Sequence, residues 1–126
     1  MAKVLIADDE KEISEMLAAS LSRAGYSVLN ALDGKTVIEL TRSEKPDVIL
    51  LDLRFPKPGI DGIEILTAIR EFDKEVKVIL TSGMGIDAEE AEQAKGLGIS
   101  KTLSKPLNMA QLKETLAEMT GNKHSP

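Results

Sequence analysis

The 126-residue chain has no cysteine, one histidine, and no apolar run approaching the ~18 residues that a membrane span requires. Without cysteine there are no disulfides, no thiolate nucleophile and no zinc–sulfur site. The one histidine, His124, lies in a polar C-terminal stretch, so any phosphohistidine chemistry must use a partner's imidazole. The N-terminus, Met1-Ala2-Lys3-Val4, has no signal-peptide core or cleavage site, and a cytoplasmic location is the expectation. Positive charge is also short: a net charge of −5 and a pI of about 4.9 leave no electrostatic footprint for gripping nucleic acid.

What is present is ordinary for a folded domain: 42% hydrophobic and 29% charged residues, far from the signature of disorder. The length suits one domain, expected over residues 1–120, with 121–126 as a frayed tail. Three short runs rich in Val, Ile and Leu, at 4–7, 48–51 and 76–80, read as strands buried on both faces of a parallel sheet. Two more, at 26–30 and 99–103, mix polar with apolar residues and are placed at the sheet edges. Between the strands, Ile13, Met16, Leu17, Leu21 and Ala24 follow helical spacing up to Gly25, which suits a helix end. Leu66 and Ile69 follow an Asp61 N-cap, and Met109, Leu112, Leu116 and Met119 follow an Asn108 N-cap. Weaker helices are expected near 35–42 and 87–96. With strands one, three and four central, the pattern predicts a doubly wound α/β sandwich of strand order 2-1-3-4-5, as in flavodoxin-like folds.

In such a sheet, ligands collect beyond the carboxyl ends of the strands where the order reverses, between strands one and three. Strand one runs into Asp8-Asp9, strand three into Asp52, strand four into Thr81-Ser82 and strand five into Ser104-Lys105-Pro106. Three carboxylates at one rim repel one another unless one is protonated or a cation neutralises them. Mg²⁺ suits a few carboxylates with several retained waters and phosphate oxygens completing its shell. Lys105 would then offer a point charge to a phosphoryl oxygen, Thr81 a hydroxyl donor, and Asp52 an oxygen nucleophile. Taken singly, each residue has a plainer use: Asp8 or Asp9 as N-cap of the first helix, Asp52 in an Asx turn, Thr81 as a cap, Lys105 solvated before a turn proline. Their conjunction at one rim carries the argument.

Over residues 2–119 the sequence resembles the receiver domain of response regulators in bacterial two-component signalling. The matching segments are Val4-Leu5-Ile6-Ala7-Asp8-Asp9-Glu10, Pro46-Asp47-Val48-Ile49-Leu50-Leu51-Asp52-Leu53, Gly59-Ile60-Asp61-Gly62, Ile79-Leu80-Thr81-Ser82 and Lys105-Pro106-Leu107. The resemblance implies that Asp52 is the phosphoacceptor and that Mg²⁺ is held by Asp8, Asp9, Asp52 and the Arg54 carbonyl, with Asp8 acting largely through water. It implies that Thr81 and Lys105 contact the phosphoryl group and that the Lys105–Pro106 bond is cis. Its donor would be a sensor histidine kinase or a histidine phosphotransfer protein, docked on the first helix, and the protein would be a switch rather than a turnover enzyme. A downstream effector protein is a further expected partner, and a monomer or a weak phosphorylation-dependent dimer is the expected state.

Three departures from the family pattern stand out. The loop from Leu53 to Gly62 is two residues longer than usual, with an added proline that should stiffen the rim. Thr102 stands where many members carry Tyr or Phe. Arg54 and Gly83 occupy positions that in the family tune acyl-phosphate hydrolysis. The fourth helix is rich in alanine and glutamate with few large apolar anchors, so weak docking is expected, although its small alanines could equally let it pack closely. A haloacid-dehalogenase-type hydrolase would want an aspartate two residues past its nucleophile, where this chain has Glu10 or Lys11, and a flavin binder would want a Ser/Thr-rich loop rather than an acidic one. A docking module indifferent to phosphorylation stays open, as does whether the receiver stands alone or belongs to a longer regulator or hybrid kinase.

Overall fold

The computed structural model describes residues 2–56 and 59–121. Strands and helices alternate: β1 (Lys3–Ala7), α1 (Lys11–Arg23), β2 (Ser27–Ala31), α2 (Gly34–Glu44), β3 (Val48–Asp52), α3 (Gly62–Arg70), β4 (Lys77–Ser82), α4 (Ala88–Gly96), β5 (Lys101–Ser104) and α5 (Met109–Thr120). All strands are parallel, in the order β2-β1-β3-β4-β5, as the burial pattern of the sequence predicts. Every residue of β3 is buried, whereas β5 buries only Leu103. That contrast is the one which separates central from edge strands in the sequence.

Side chains alternate across a strand, so each strand feeds two cores. Leu5, Ile49, Leu51, Val78 and Leu80 face Val37, Ile65, Leu66 and Ile69 of α2 and α3. Val4, Ile6, Val48, Leu50, Ile79 and Leu103 face Leu17, Leu21, Leu112 and Leu116 of α1 and α5. Among the described residues no helix is long and apolar enough to cross a membrane.

Several boundaries shift for identifiable reasons. β4 starts one residue later than expected and runs on through Thr81 and Ser82, because the Leu53 amide donates to the Thr81 carbonyl (2.8 Å) and prolongs pairing with β3. β2 begins at Ser27 because the Tyr26 amide still donates to Leu21 O at the end of α1, with Gly25 between them at φ 97°. α2 spans more than expected, opened by Asp33, whose carboxylate accepts from the Thr36 amide (2.8 Å). Asp61 and Asn108 cap α3 and α5 as expected, the former in a full capping box. The expected stiffening by the added proline concerns Lys57 and Pro58, and the expected frayed tail concerns 122–126; both lie outside the described residues.

Candidate functional site

The candidate residues share one side-chain parity. Ile6, Leu50, Ile79 and Leu103 all belong to the core beneath α1 and α5, and two residues further along each chain stand Asp8, Asp52, Thr81 and Lys105. Leu50 pairs with both Ile6 and Ile79, and Asp52 with Thr81, so the polar residues arrive side by side at the C-terminal rim. The sequence-predicted residues are thus brought together by strand register. Asp8, Asp52 and Thr81 are buried, while Asp9 is exposed.

Carboxylate oxygens of Asp8, Asp9 and Asp52 lie within 4.8 Å of one another. The Lys105 ammonium sits among them, donating to Asp8 Oδ2 (2.7 Å), Asp52 Oδ2 (3.0 Å) and Glu10 Oε1 (3.4 Å). Burial alone would lower the Lys105 pKa, but hydrogen bonds to Asp8 and Asp52 and their charges outweigh it and hold the ammonium well above the usual lysine value. Burial pushes the Asp52 carboxyl up; its bonds from Lys105 and the Arg54 amide (3.2 Å) oppose that, and the charge of Asp8 adds to it. One ammonium cannot balance three clustered carboxylates. The all-oxygen, anionic donor set fits a hard divalent cation such as Mg²⁺, which takes carboxylates together with water.

Local structure fixes these groups. The Asp8 carboxylate accepts from the Glu10 amide (2.9 Å), and the N-cap of α1 is Glu10, with no side-chain capping bond. The plainer use of Asp8 or Asp9 as N-cap is therefore not realised. Beneath Asp52, Gly62 donates to Leu53 O (2.8 Å). A Cβ on Gly62 would stand 2.5 Å from the Asp52 carbonyl oxygen, so only glycine lets α3 begin this close to the end of β3. The Lys105–Pro106 peptide is cis, as the resemblance implies. Thr102 is exposed on β5.

Two contacts escape sequence reasoning. Glu10, the N-cap residue of α1, also reaches Lys105. Arg54, singled out for its carbonyl and for hydrolysis, also forms a bidentate pair with Glu90 of α4 at 2.6 and 2.9 Å. The signal for Glu90 was the capping box that it makes with Asp87. A hollow of about 980 Å³ at the opposite end of the sheet, lined by Arg42, Asp47, Phe72 and Lys77 among others, contains none of the candidate residues.

Comparison with known proteins agrees with this geometry. Residues 4–117 match the model of the response regulator receiver domain. Sporulation initiation phosphotransferase F of Bacillus subtilis is 30% identical over 114 residues, covering 90% of each chain. Alkaline phosphatase synthesis transcriptional regulatory protein PhoP of the same organism is 33% identical over 108 residues, but the match covers only 43% of that longer protein and 84% of this chain. The solved structure of Vibrio cholerae chemotaxis protein CheY4 superposes with a TM-score of 0.85 at 30% identity, covering 94% of this chain and 98% of that one. With a family match over nearly its whole length and the same sheet order and rim, the chain belongs to the response regulator receiver domains of two-component signalling.

Proposed function

We propose that this receiver works as a phosphoacceptor switch, taking a phosphoryl group on Asp52 from the phosphohistidine of a sensor kinase or phosphotransfer protein. The observation that carries the proposal is the Lys105 ammonium bridging buried Asp8 and Asp52 beside the carboxylate of Asp9. Asp8, Asp9, Asp52 and the Arg54 carbonyl would hold Mg²⁺, which when bound neutralises the carboxylates and the incoming phosphoryl oxygens. An Asp52 carboxylate oxygen attacks phosphorus; the new P–O bond forms as the donor's P–N bond breaks and the imidazole leaves. Lys105, released from Asp52 Oδ2, pairs with a phosphoryl oxygen, and the Thr81 hydroxyl donates to another. Hydrolysis of the acyl phosphate later returns free Asp52 and inorganic phosphate. The product of the transfer is the protein's own modified form, so it is a switch and not a turnover enzyme.

The donor needs a footing beside the rim. An apolar groove of about 420 Å³ runs between α1 and the segment after β5, lined by Ile13, Met16, Leu17, Pro106, Leu107 and Met109, and reaches Lys105 at its inner end. Met16 is 63% exposed, although it lies on α1, whose Leu17 and Leu21 pack against the sheet. This groove is where the phosphohistidine-bearing partner would dock, in a cytoplasmic setting. Response regulators signal through protein contacts, and an effector protein would read the switch.

Intact mass after incubation with a small acyl-phosphate donor tests the chemistry. The expected result is a Mg²⁺-dependent gain of one phosphoryl group in the wild type and none in Asp52→Ala. No gain from either the small donor or a histidine phosphotransfer protein would overturn the proposal and favour a docking module indifferent to phosphorylation.

A further inference from the structure

Arg54 lies between two buried anchors. Leu53 and Phe55 both enter the core beneath α2 and α3, which leaves the Arg54 side chain facing out along the rim. There it meets an acidic surround of Glu90, Asp87 and Asp61 and closes a fork onto the Glu90 carboxylate, Nη1 to Oε2 at 2.6 Å and Nη2 to Oε1 at 2.9 Å. The Glu90 side chain is only 15% exposed, and its Oε1 also accepts from the Asp87 amide (3.3 Å) to complete the α4 capping box. The backbone of the same arginine serves the phosphoacceptor, its amide donating to Asp52 Oδ1 (3.2 Å). One residue therefore touches the reacting carboxylate through its backbone and the first turn of α4 through its side chain.

Within α4 little else is buried, although Ile86 before it and Leu97 after it pack, partly buried, against the core beneath α2 and α3. Ala94 is the helix's only buried residue, and its far end is pinned by Arg70, whose guanidinium donates to Leu97 O (2.7 Å) and Gly98 O (3.2 Å). The helix is held mainly at its two ends, by these apolar residues and by the two arginines, and of these attachments the Arg54 pin connects to the site.

From this we propose that Glu90 is a positioning residue for the phosphoacceptor site. It acts through the Arg54 peptide, so that the Arg54–Glu90 pair and cation affinity at the Asp8, Asp9 and Asp52 carboxylates are energetically coupled. The inference rests on the phosphoacceptor reading above. A bidentate carboxylate fixes the guanidinium plane, which limits how far the Arg54 peptide can turn, and hence where its amide and carbonyl stand relative to Asp52. Coupling is reciprocal: whatever alters the Arg54 peptide when the site fills must alter the Arg54–Glu90 pair, and loosening the pair must weaken the site.

The test is a double-mutant cycle of Arg54→Gln and Glu90→Gln, with Arg54→Lys as the conservative variant. Glutamine at 90 can still accept from the Asp87 amide, so the capping box survives. Two readouts are taken on the intact protein: Mg²⁺ affinity by titration calorimetry, and amide exchange of residues 88–91 before and after acyl-phosphate labelling. The expected result is a loss of Mg²⁺ affinity of about fivefold in Glu90→Gln, absent when position 54 is already Gln, with Arg54→Lys in between. Exchange in the first turn should change on labelling in the wild type and stay unchanged in the double variant. Equal effects of Glu90→Gln in both backgrounds, or unchanged affinity, overturn the inference while a wild type that labels on Asp52 leaves the reading of the site intact. A wild type that takes no phosphoryl group overturns both.

Discussion

Replacing Lys105 with methionine keeps the alkyl stem and removes the charge, and so strands two buried carboxylates. The ammonium stands 2.7 Å from Asp8 and 3.0 Å from Asp52, and both carboxylate side chains are only 6% exposed. At an effective dielectric near 20, a unit pair at such a distance is worth about 5–6 kcal/mol before desolvation is counted. Losing the ammonium's own burial penalty returns part of this, and the net expectation for leaving buried charges unpaired is ~3–5 kcal/mol of lost stability. Out of roughly 5–15 kcal/mol for a whole domain, that is a large share. The sign with pH also follows. A lysine whose folded pKa is raised stabilises fully below its unfolded value and loses the contribution as pH rises through the folded one, so the deficit should be flat across neutral pH, shrink in strong alkali, and shrink also in acid once the carboxylates that bind the ammonium are protonated. Urea unfolding in EDTA and in saturating MgCl₂ reads the effect. In EDTA the variant should unfold at lower urea, and Mg²⁺ should restore more stability to it than to the wild type, because without the competing ammonium the carboxylates bind the cation more tightly and at one Mg²⁺ concentration the gain grows as Kd falls. On an Asp52→Asn background the same lysine substitution should be milder, with a coupling of ~0.5–3 kcal/mol. Equal urea midpoints of wild type and Lys105→Met in EDTA would refute the reasoning.

Three further predictions follow from local contacts. Asp33→Ala removes the α2 cap and should cost ~1 kcal/mol by urea unfolding. The Thr36 amide holds the Asp33 carboxyl below its ordinary pKa, so this contribution is present above the unfolded carboxyl value and fades as pH falls through the lowered one; Asp33→Asn should keep the cap and lose that pH dependence. Gly62→Ala would gain ~1 kcal/mol from helix propensity, but its Cβ meets Asp52 O at 2.5 Å and Leu53 Cα at 2.7 Å, so a net loss of ~1–3 kcal/mol and slower labelling of Asp52 are expected; a more stable variant would refute the clash. Amides of α4 should exchange faster than those of α1, which buries Ser14, Leu17 and Leu21 where α4 buries Ala94; equal protection by mass spectrometry would count against weak docking.

The fold was legible because a parallel sheet writes its centre as unbroken apolar runs, and β3, buried at all five positions, is the plainest of them. The rim was legible for a related reason: each strand ends where an apolar run meets a polar residue, and register turns four such ends into neighbours. The ends of the strands were less legible, since whether Thr81 and Ser82 extend β4 depends on where β3 offers partners and not on their own propensities. The least legible features were the long charged side chains. Nothing in the spacing of Glu10, Arg54 and Glu90 shows that one reaches Lys105 and the other two reach each other, because such contacts are set by which loops converge. Only the capping box of Asp87 and Glu90 leaves a local trace.

The way α4 is attached bears on the size of signal that a receiver can pass on. A leucine buried from this helix would add roughly 1.5–3 kcal/mol to its docking, and several would exceed the ~1–3 kcal/mol that typically couples two sites. A helix seated that firmly would not respond to a phosphoryl group whose differential contacts are of coupling size, because a ligand shifts an equilibrium only by the difference in its affinity for the two states. With Ala94 as its sole buried residue and arginines at both ends, α4 is held by interactions of the same scale as the signal. Larger apolar residues on the face that Ala94 turns to the core should therefore stabilise the helix and mute its change in amide exchange on labelling of Asp52. A variant whose α4 is slower to exchange yet responds to labelling as fully as the wild type would show that docking strength does not set the response.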